Sequence, residues 1–343
     1  MARIVVLIGL VLQVALGAAL DVSSGTAQAQ TDIKAQRSSR SPKTDVNAWT
    51  VGLAGGLIEG SFIRYAADLA KVLDDGDNLR VIPMVTFGAV GNVGDLLNLK
   101  GVDAAITQAD VLDYFQRELK VPNINGRIQY VSPLYLAEVH IYSRAEIRTL
   151  ADLAGRKVAF NSAGSAANLT GQVVFRRLGI PVEPLLVNNA LALERMRSGE
   201  IAAVVHVVGK PNDLFTGSKA EPGFHFLPIE YDPKFEDFYL PSILSAEDYP
   251  RLIAPKETVP TLAVATVLAV YNWPKNTEGF RRVSRFVEAY FAKFQQLRSP
   301  PFQPKWKDIN LAATVPGWTR FSVAEDALAR MRAARPPGGE PQR

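Results

Sequence analysis

Residues 49–61 read WTVGLAGGLIEGS, and residues 101–110 read GVDAAITQAD. In the first segment, an apolar run passes into a glycine-rich stretch and then into an amphipathic helical pattern. In the second, a glycine precedes a buried strand pattern that ends in a polar amide, Gln108. A strand, a glycine-rich loop and a helix in this order predict the βα units of an α/β fold. Such loops bring backbone N–H groups to the start of a helix, where they suit a small polar ligand.

Composition limits the class of protein. The chain has 343 residues, of which 48% are hydrophobic and 21% are charged, as in an ordinary soluble globular protein that is long enough for two lobes. Its net charge is +4, but basic and acidic residues alternate, so nucleic-acid binding is not predicted and only a mild preference for anionic ligands follows. Because the chain has no cysteine, disulfides, thiolate nucleophiles and zinc–thiolate sites are excluded.

The N-terminal residues have the pattern of a secretory signal peptide. Arg3 is followed by an apolar run from Ile4 to Leu20 and by the small-x-small site Ala27-Gln28-Ala29. We therefore expect residues 1–29 to be removed and the chain to be periplasmic. An uncleaved membrane anchor is the alternative, since the run approaches the length of a short span. Residues 30–47 are predicted to be a flexible tether and residues 331–343 a disordered tail.

Between these ends, short apolar runs alternate with helical patterns, which predicts βαβ units with mostly parallel sheets. Strands are predicted at 49–53, 79–85, 102–107, 156–160, 185–187 and 202–207. Helices are predicted at 61–73, 90–99, 109–119, 165–178 and 191–198. The extended segment 130–143 is interpreted as a crossover between two lobes. Lobe 1 then comprises 48–135 with part of 232–330 returning to it, and lobe 2 comprises 136–231.

Two strand–loop–helix junctions are candidate parts of a ligand site. The first contains Gly56 and Ser61, and lacks the Lys-Ser/Thr ending of a phosphate-binding P-loop. The second contains Ser162, Gly164 and Ser165. The N–H groups and the helix dipole at each junction can receive an anion or a hydroxyl group. A plain tight turn remains the alternative for the first loop, and simple helix capping for the two serines.

Four further residues lie where strands are expected to end, at the usual ligand edge of an open α/β sheet. Thr86, Thr107 and Gln108 follow the second and third strands, and Gln108 is the strongest candidate because an amide both donates and accepts hydrogen bonds. Lys210 follows a later strand and can bring a positive charge to the cleft, although a solvated loop lysine is an equal alternative. The three histidines have no metal-ligand spacing, so neither a metal nor another cofactor is predicted. No Ser-His-Asp arrangement is visible, and the chain is not expected to be an enzyme.

Taken together, these motifs resemble the TAXI family, the solute receptors of TRAP transporters, over nearly all of residues 48–320. The motifs that carry the resemblance are Gly55-Gly56 with Gly60-Ser61-Phe62, Thr86-Phe87-Gly88, the run from Asp103 to Asp110, Leu134-Tyr135 with Glu138 and His140-Ile141, Leu150 to Val158, Gly164-Ser165, Gly199 and Gly209-Lys210-Pro211.

The resemblance implies a two-lobed type II periplasmic binding protein fold with a ligand cleft. It implies a receptor that closes on a small anionic or zwitterionic ligand, such as a dicarboxylate or glutamate, and delivers it to the membrane subunits of a TRAP permease. A receptor for an ABC importer, or an enzyme or sensor on the same fold, remains an alternative.

Overall fold

The computed structural model describes residues 46–216, 221 and 223–334. The predicted signal peptide and most of the predicted tether and tail lie outside these residues. None of the helices within the described ranges is long and apolar enough to cross a membrane.

The described part of the chain is a mixed α/β structure with ten strands in one sheet. The strands are β1 Thr50–Gly56, β2 Arg80–Val85, β3 Ala104–Gln108, β4 Ile128–Ser143, β5 Lys157–Ala159, β6 Glu183–Leu185, β7 Ala203–Val208, β8 His225–Phe226, β9 Tyr239–Ser245 and β10 Thr258–Tyr271. The helices are α1 Ser61–Leu73, α2 Ala89–Asn98, α3 Val111–Arg117, α4 Ile124–Arg127, α5 Ala166–Leu178, α6 Asn189–Arg197, α7 Asp213–Thr216, α8 Glu278–Leu297 and α9 Ser322–Ala333. Short 3₁₀ turns cover Val46–Trp49, Leu150–Leu153, Pro233–Phe235 and Pro304–Asp308. The α/β class expected from the sequence is therefore confirmed.

The order of strands in the sheet is β2-β1-β3-β10-β4-β7-β5-β6, with β9 paired to β10 and β8 paired to β4. Pairing is parallel at the two ends of the sheet, between β1 and its neighbours β2 and β3, and between β5 and its neighbours β6 and β7. The centre is antiparallel, because the long strands β4 and β10 pair with each other and with β7 and β3. The prediction of mostly parallel strands thus holds for the βα units at the ends but not for the two long strands that join them.

The register of the central strands brings two strand ends towards each other. Gln108 at the end of β3 lies opposite Thr266 of β10. Val208 at the end of β7 lies opposite Glu138 of β4, which in turn lies opposite Ala263 of β10. Because each of these three pairings is antiparallel, β3 and β7 run in opposite directions and their carboxyl ends meet head to head. The loops and helices that follow the strands at each end of the sheet therefore face one another.

The first βα unit shows how the sequence determines local structure. Helix α1 places Phe62, Tyr65 and Leu69 on one buried face, at the i, i+3, i+7 spacing of an amphipathic helix. Strand β1 continues to Gly56, three residues beyond the predicted end, because Gly56 and Thr86 exchange hydrogen bonds: the Gly56 N–H donates to Thr86 Oγ1 at 2.8 Å, and the Thr86 N–H donates to Gly56 O at 3.0 Å. The glycine-rich loop is thus reduced to the turn 57–60.

At the other end of the chain, helix α9 continues to Ala333, into the predicted tail. Arg330 and Arg332 in its last turn suit the negative end of the helix dipole. The remainder of that predicted tail lies outside the described residues.

Gly52 is a position at which this packing leaves no room for a side chain. A Cβ atom there would lie 1.8 Å from the carbonyl oxygen of Gly101. We expect Gly52→Ala to lower the free energy of unfolding by roughly 3 kcal/mol or more, because strand and loop must separate. Gly94 is the matched control, since a Cβ there would meet nothing within 4 Å and the residue lies inside α2. Gly94→Ala should leave stability unchanged or raise it by up to about 1 kcal/mol. Urea denaturation measures both, and equal stability of the two variants would contradict this packing.

Candidate functional site

The start of helix α1 is not capped by any side chain. Gly60 occupies the N-cap position and its N–H donates to Leu57 O at 3.0 Å, which closes the turn. The first turn of α1 contains no acidic residue. Its first backbone N–H groups therefore remain available as donors at the positive end of a 13-residue helix.

Helix α5 begins on the other side of the head-to-head arrangement and is capped by Ser165. The Ser165 hydroxyl accepts from the Asn168 N–H and donates to Phe160 O, both at 3.2 Å. Helix capping, the alternative left open by the sequence, therefore describes the Ser165 side chain in this structure. The N–H groups of Ala166 and Ala167 precede the capped position, and no acidic residue lies in the first turn.

Helix α2 starts directly against this second loop. The N–H groups of Val90 and Gly91 both donate to Gly164 O at 3.1 Å, so a backbone carbonyl occupies the helix start. The approach requires glycine at position 164, because a Cβ there would lie 2.9 Å from Cβ of Phe87. Gly88, the N-cap of α2, has a φ of 109°, a conformation that favours glycine.

These three helix starts surround one pocket, which we name the helix-start pocket. Gly60 and Ser61 line it from α1, Gly88 and Ala89 from α2, and Ser165, Ala166 and Ala167 from α5. The remaining lining residues are Leu57, Phe62, Tyr135, Asn161, His206, Val207 and Val208. The cavity volume of the pocket is about 40 Å³, which exceeds the roughly 10 to 15 Å³ needed to hold a water molecule. Among the described residues that line it, none is Asp, Glu, Lys or Arg.

Tyr135 supplies a hydroxyl group to this pocket. The ring is buried and stacks on Tyr65, with the ring centroids 4.2 Å apart. Its hydroxyl makes no hydrogen bond of normal geometry within the protein. Burial raises the pKa of Tyr135 well above its usual value, although the Ser61 hydroxyl lies close enough to lower this pKa in part, so the side chain is a neutral donor. Ser61 itself accepts a hydrogen bond from the Gly209 N–H at 3.2 Å.

His206 supplies a second buried polar group. Its Nδ1 lies 3.3 Å from Nδ2 of Asn189, while its Nε2 has no partner. Burial lowers the pKa of His206 to about 4, so the imidazole is neutral at neutral pH. In the tautomer that accepts a hydrogen bond from the Asn189 amide nitrogen at Nδ1, the ring proton lies on Nε2, which then acts as a donor.

The structure brings two of the residues predicted from sequence, Ser61 and Ser165, into the helix-start pocket. Three other predicted residues, Gly56, Thr86 and Gly164, make hydrogen bonds within the protein next to the pocket. Thr86 bonds Gly56, as described above, and its hydroxyl also donates to Asn92. The Gly164 carbonyl caps α2, while the buried Ser162 hydroxyl has no partner and lies outside the lining.

The remaining three predicted residues lie outside the lining of the pocket. Thr107 is fully buried and its hydroxyl donates to Ala89 O at 2.8 Å. Gln108 is also fully buried, with its amide oxygen 3.2 Å from the Thr170 hydroxyl. Lys210 Nζ pairs with Asp248 at 2.8 Å and donates to Ile243 O at 2.7 Å, so its charge is already neutralised within the protein.

Tyr135 and His206 were not selected from the sequence. Each lies inside an apolar run, where an aromatic or histidine side chain resembles ordinary core. The signal that could have identified His206 is its position between Val204-Val205 and Val207-Val208, because a polar side chain within a fully buried strand needs a partner.

Comparisons with known proteins give a family and a group of distant structures. The model of the NMT1-like family matches residues 54–305, well over half of the chain. A structure described as a periplasmic transporter has a TM-score of 0.48 at 14% identity, covering 83% of this chain and 94% of that one. The periplasmic binding protein BugD has a TM-score of 0.45 at 13% identity, with the same coverage of 83% and 94%. The alkanesulfonate-binding protein SsuA from Xanthomonas axonopodis pv. citri, bound to MOPS, has a TM-score of 0.44 at 13% identity, covering 84% of this chain and 85% of that one.

The two buried histidines make stability depend on pH. Burial lowers the pKa of His206 to about 4 and that of His140 to about 3. Between these values and the unfolded pKa of about 6.5 the unfolded chain binds more protons, so stability falls as the pH falls. From about pH 7 to about pH 5, His206 alone should account for a loss of about 2 kcal/mol.

Urea denaturation at the two pH values tests this assignment. Between pH 7 and pH 5, His206→Gln should lose about 2 kcal/mol less free energy of unfolding than the wild type, whatever its stability at pH 7. Gly94→Ala is the control, because it changes no titratable group and lies outside the pocket lining, and it should leave the pH dependence as in the wild type. A pH dependence that is the same in His206→Gln and wild type would contradict a neutral, buried His206.

Proposed function

We propose that this chain, which belongs to the NMT1-like family, is an extracytoplasmic solute receptor that binds a small carboxylate in the helix-start pocket. The observation that supports this most directly is the convergence of uncompensated donors. The starts of α1 and α5 present N–H groups with no acid in either first turn, and the buried Tyr135 hydroxyl and His206 Nε2 lack partners. A carboxylate offers acceptors to all of these groups at once.

The start of α2 contributes less to such a ligand. Its Val90 and Gly91 N–H groups already donate to the Gly164 carbonyl. A bound anion therefore interacts mainly with α1 and α5, which approach from the two facing ends of the sheet. This geometry makes binding depend on both ends being close together.

The charge balance of the pocket favours one carboxylate over a dicarboxylate or glutamate, the ligands that the family resemblance suggests. A second carboxylate would need a cation, but the nearby Lys210 is paired with Asp248. An ammonium group would need an acid, but the nearby Glu138 is buried against Lys305 at 3.3 Å. The apolar lining from Leu57, Phe62 and Val207 suits a short hydrocarbon chain. We therefore propose a small monocarboxylate as the preferred ligand.

Closure of two lobes would complete the receptor. We propose the lobes to be 48–135 with part of 232–330, and 136–231, with β4 and β10 running through the hinge. Three contacts then join the start of α1 to the segment after β7: Ser61 with Gly209, Asn212 Nδ2 with Glu59 O at 3.5 Å, and the exposed ion pair of Arg64 with Asp213. Each is a single polar contact of modest strength. The Gly164 carbonyl on the start of α2 and the buried hydrogen bond from Thr170 to Asp110 also join the two proposed lobes, so opening must break these contacts as well, and bound ligand then biases the closed form.

Delivery to a membrane permease follows from the same proposal. The resemblance to the TAXI family favours a TRAP-type permease, and a receptor for an ABC importer is the alternative. Uptake by each type of permease, reconstituted with this receptor and a labelled ligand, would separate the two: dependence on an ion gradient indicates TRAP, and dependence on ATP indicates ABC.

A ligand screen and removal of the Tyr135 hydroxyl test whether the helix-start pocket binds a carboxylate. Thermal-shift measurements with acetate, propionate, butyrate, succinate and glutamate should show the largest stabilisation by the monocarboxylates.

Tyr135→Phe should then weaken propionate binding by roughly ten- to a hundredfold, since a hydrogen bond to a charged group contributes about 1.5 to 3 kcal/mol. Because the hydroxyl has no partner in the protein, the variant should keep or slightly raise the stability of the parent. Calorimetry and urea denaturation measure the two effects.

Tyr290→Phe is the matched control, because that buried hydroxyl bonds Ser132 Oγ at 2.9 Å and lies outside the pocket lining. It should lose about 1 kcal/mol of stability and no affinity. Wild-type affinity in Tyr135→Phe, or an equal loss of affinity in both variants, would remove Tyr135 from the site. No stabilisation by any of the monocarboxylates would refute the proposed ligand class.

A further inference from the structure

A second cavity lies between helices α3 and α5 and shares no lining residue with the helix-start pocket. We name it the Asp110 cavity. Its open space is about 190 Å³, larger than that of the pocket. Its polar lining consists of Asp110, Asp113, Tyr114, Glu118, Arg176, Arg177 and Tyr239.

The charged groups of this cavity are paired, with one exception. Asp113 pairs with Arg117 at 2.6 Å, and Glu118 pairs with Arg176 at 3.2 Å. Arg177 binds both carboxylate oxygens of Asp237 at 2.7 Å. Among the charged side chains lining the cavity in the described part of the chain, Asp110 is the one that makes no ion pair.

Asp110 is nevertheless almost completely buried, with 5% of its surface exposed. One carboxyl oxygen accepts from the Thr170 hydroxyl at 2.7 Å and from the Tyr239 hydroxyl at 2.9 Å. The other, Oδ1, has no partner. Burial raises the pKa of Asp110, and the hydrogen bonds from Thr170 and Tyr239 offset this in part, as do its own backbone N–H and the more distant Arg177 to a smaller extent.

In its ionised form Asp110 receives hydrogen bonds only from neutral hydroxyl groups and its own backbone and lacks a paired positive charge, so burial favours the neutral acid until a cation binds beside it. We propose that the Asp110 cavity binds the ammonium group of a small primary amine, with Asp110 as its counter-ion. The ammonium ion brings both the missing charge and the N–H donors that Oδ1 lacks. The aromatic rings of Tyr114 and Phe238 border the cavity and suit a cation with a short carbon chain, whereas the ring of Tyr239 already lies against the Arg177 guanidinium at 5.4 Å.

This cavity shares no lining residue with the carboxylate pocket, so its test uses different probes. The wild-type chain without residues 1–29 is titrated with methylammonium chloride and, at the same ionic strength, with tetramethylammonium chloride. Both ions carry one positive charge, but only methylammonium donates N–H hydrogen bonds. We expect a saturable rise of the melting temperature and a calorimetric isotherm with methylammonium, and neither with tetramethylammonium.

Asp110→Asn should weaken methylammonium binding at least tenfold, because it removes the charge while keeping the shape of the side chain. Asp326→Asn, which removes an exposed acid outside the lining of the cavity, should bind like the wild type. The comparison of the two salts needs no variant and remains decisive if Asp110→Asn fails to fold. Absence of saturable methylammonium binding, an equal response to both salts, or an equal loss in Asp110→Asn and Asp326→Asn would overturn the proposal.

Discussion

The antiparallel pairing of β4 with β10 is the interaction on which the arrangement of the site depends. These two long strands connect the parallel βα units at one end of the sheet to those at the other. Their register places the carboxyl end of β3 opposite Thr266 and that of β7 three positions away along β10, at the level of Ala263. Three helix starts meet at the pocket because the strands before them point towards each other. Without the pairing of β4 with β10, each end of the sheet would carry only part of the pocket lining.

At the start of α2, the close approach of the two ends is made by backbone groups. The Gly164 carbonyl docks on the start of α2, and glycine at positions 88 and 164 allows the two loops to approach this closely. One consequence is that no charged side chain needs to enter the pocket. In the receptor that we propose, helix starts, hydroxyl groups and a neutral imidazole are the groups that would determine ligand preference, and such a set of donors suits a single anionic group better than a zwitterion.

Glycine, caps and periodicity made much of the fold predictable. The bounds of α1 were predicted to the residue, and the other predicted helices and strands differ by one or two residues at most ends, where backbone hydrogen bonds rather than side-chain patterns decide the boundary. The parallel units at the two ends follow from local pattern. The antiparallel centre does not, since it depends on pairing between β4 and β10, which are separated by more than a hundred residues.

The site was less accessible from sequence for a physical reason. Position at a strand end was predicted well, but the direction of each side chain was not. Thr107 and Gln108 are neighbours on β3 and therefore point to opposite faces, where one bonds Ala89 and the other faces Thr170. Ser61 and Ser165, which line the pocket, were selected because small polar residues mark the starts of helices. Tyr135 and His206 were not, since a residue in an apolar run reveals its unpartnered polar atom only in three dimensions.

The most direct test of carboxylate binding at facing helix starts is a crystal structure of the chain without residues 1–29, grown with propionate. We expect the carboxylate oxygens to lie within hydrogen-bond distance of the backbone N–H groups at the starts of α1 and α5 and of the Tyr135 hydroxyl or His206 Nε2. A carboxylate seated instead against Lys210, with only water in the helix-start pocket, would contradict it.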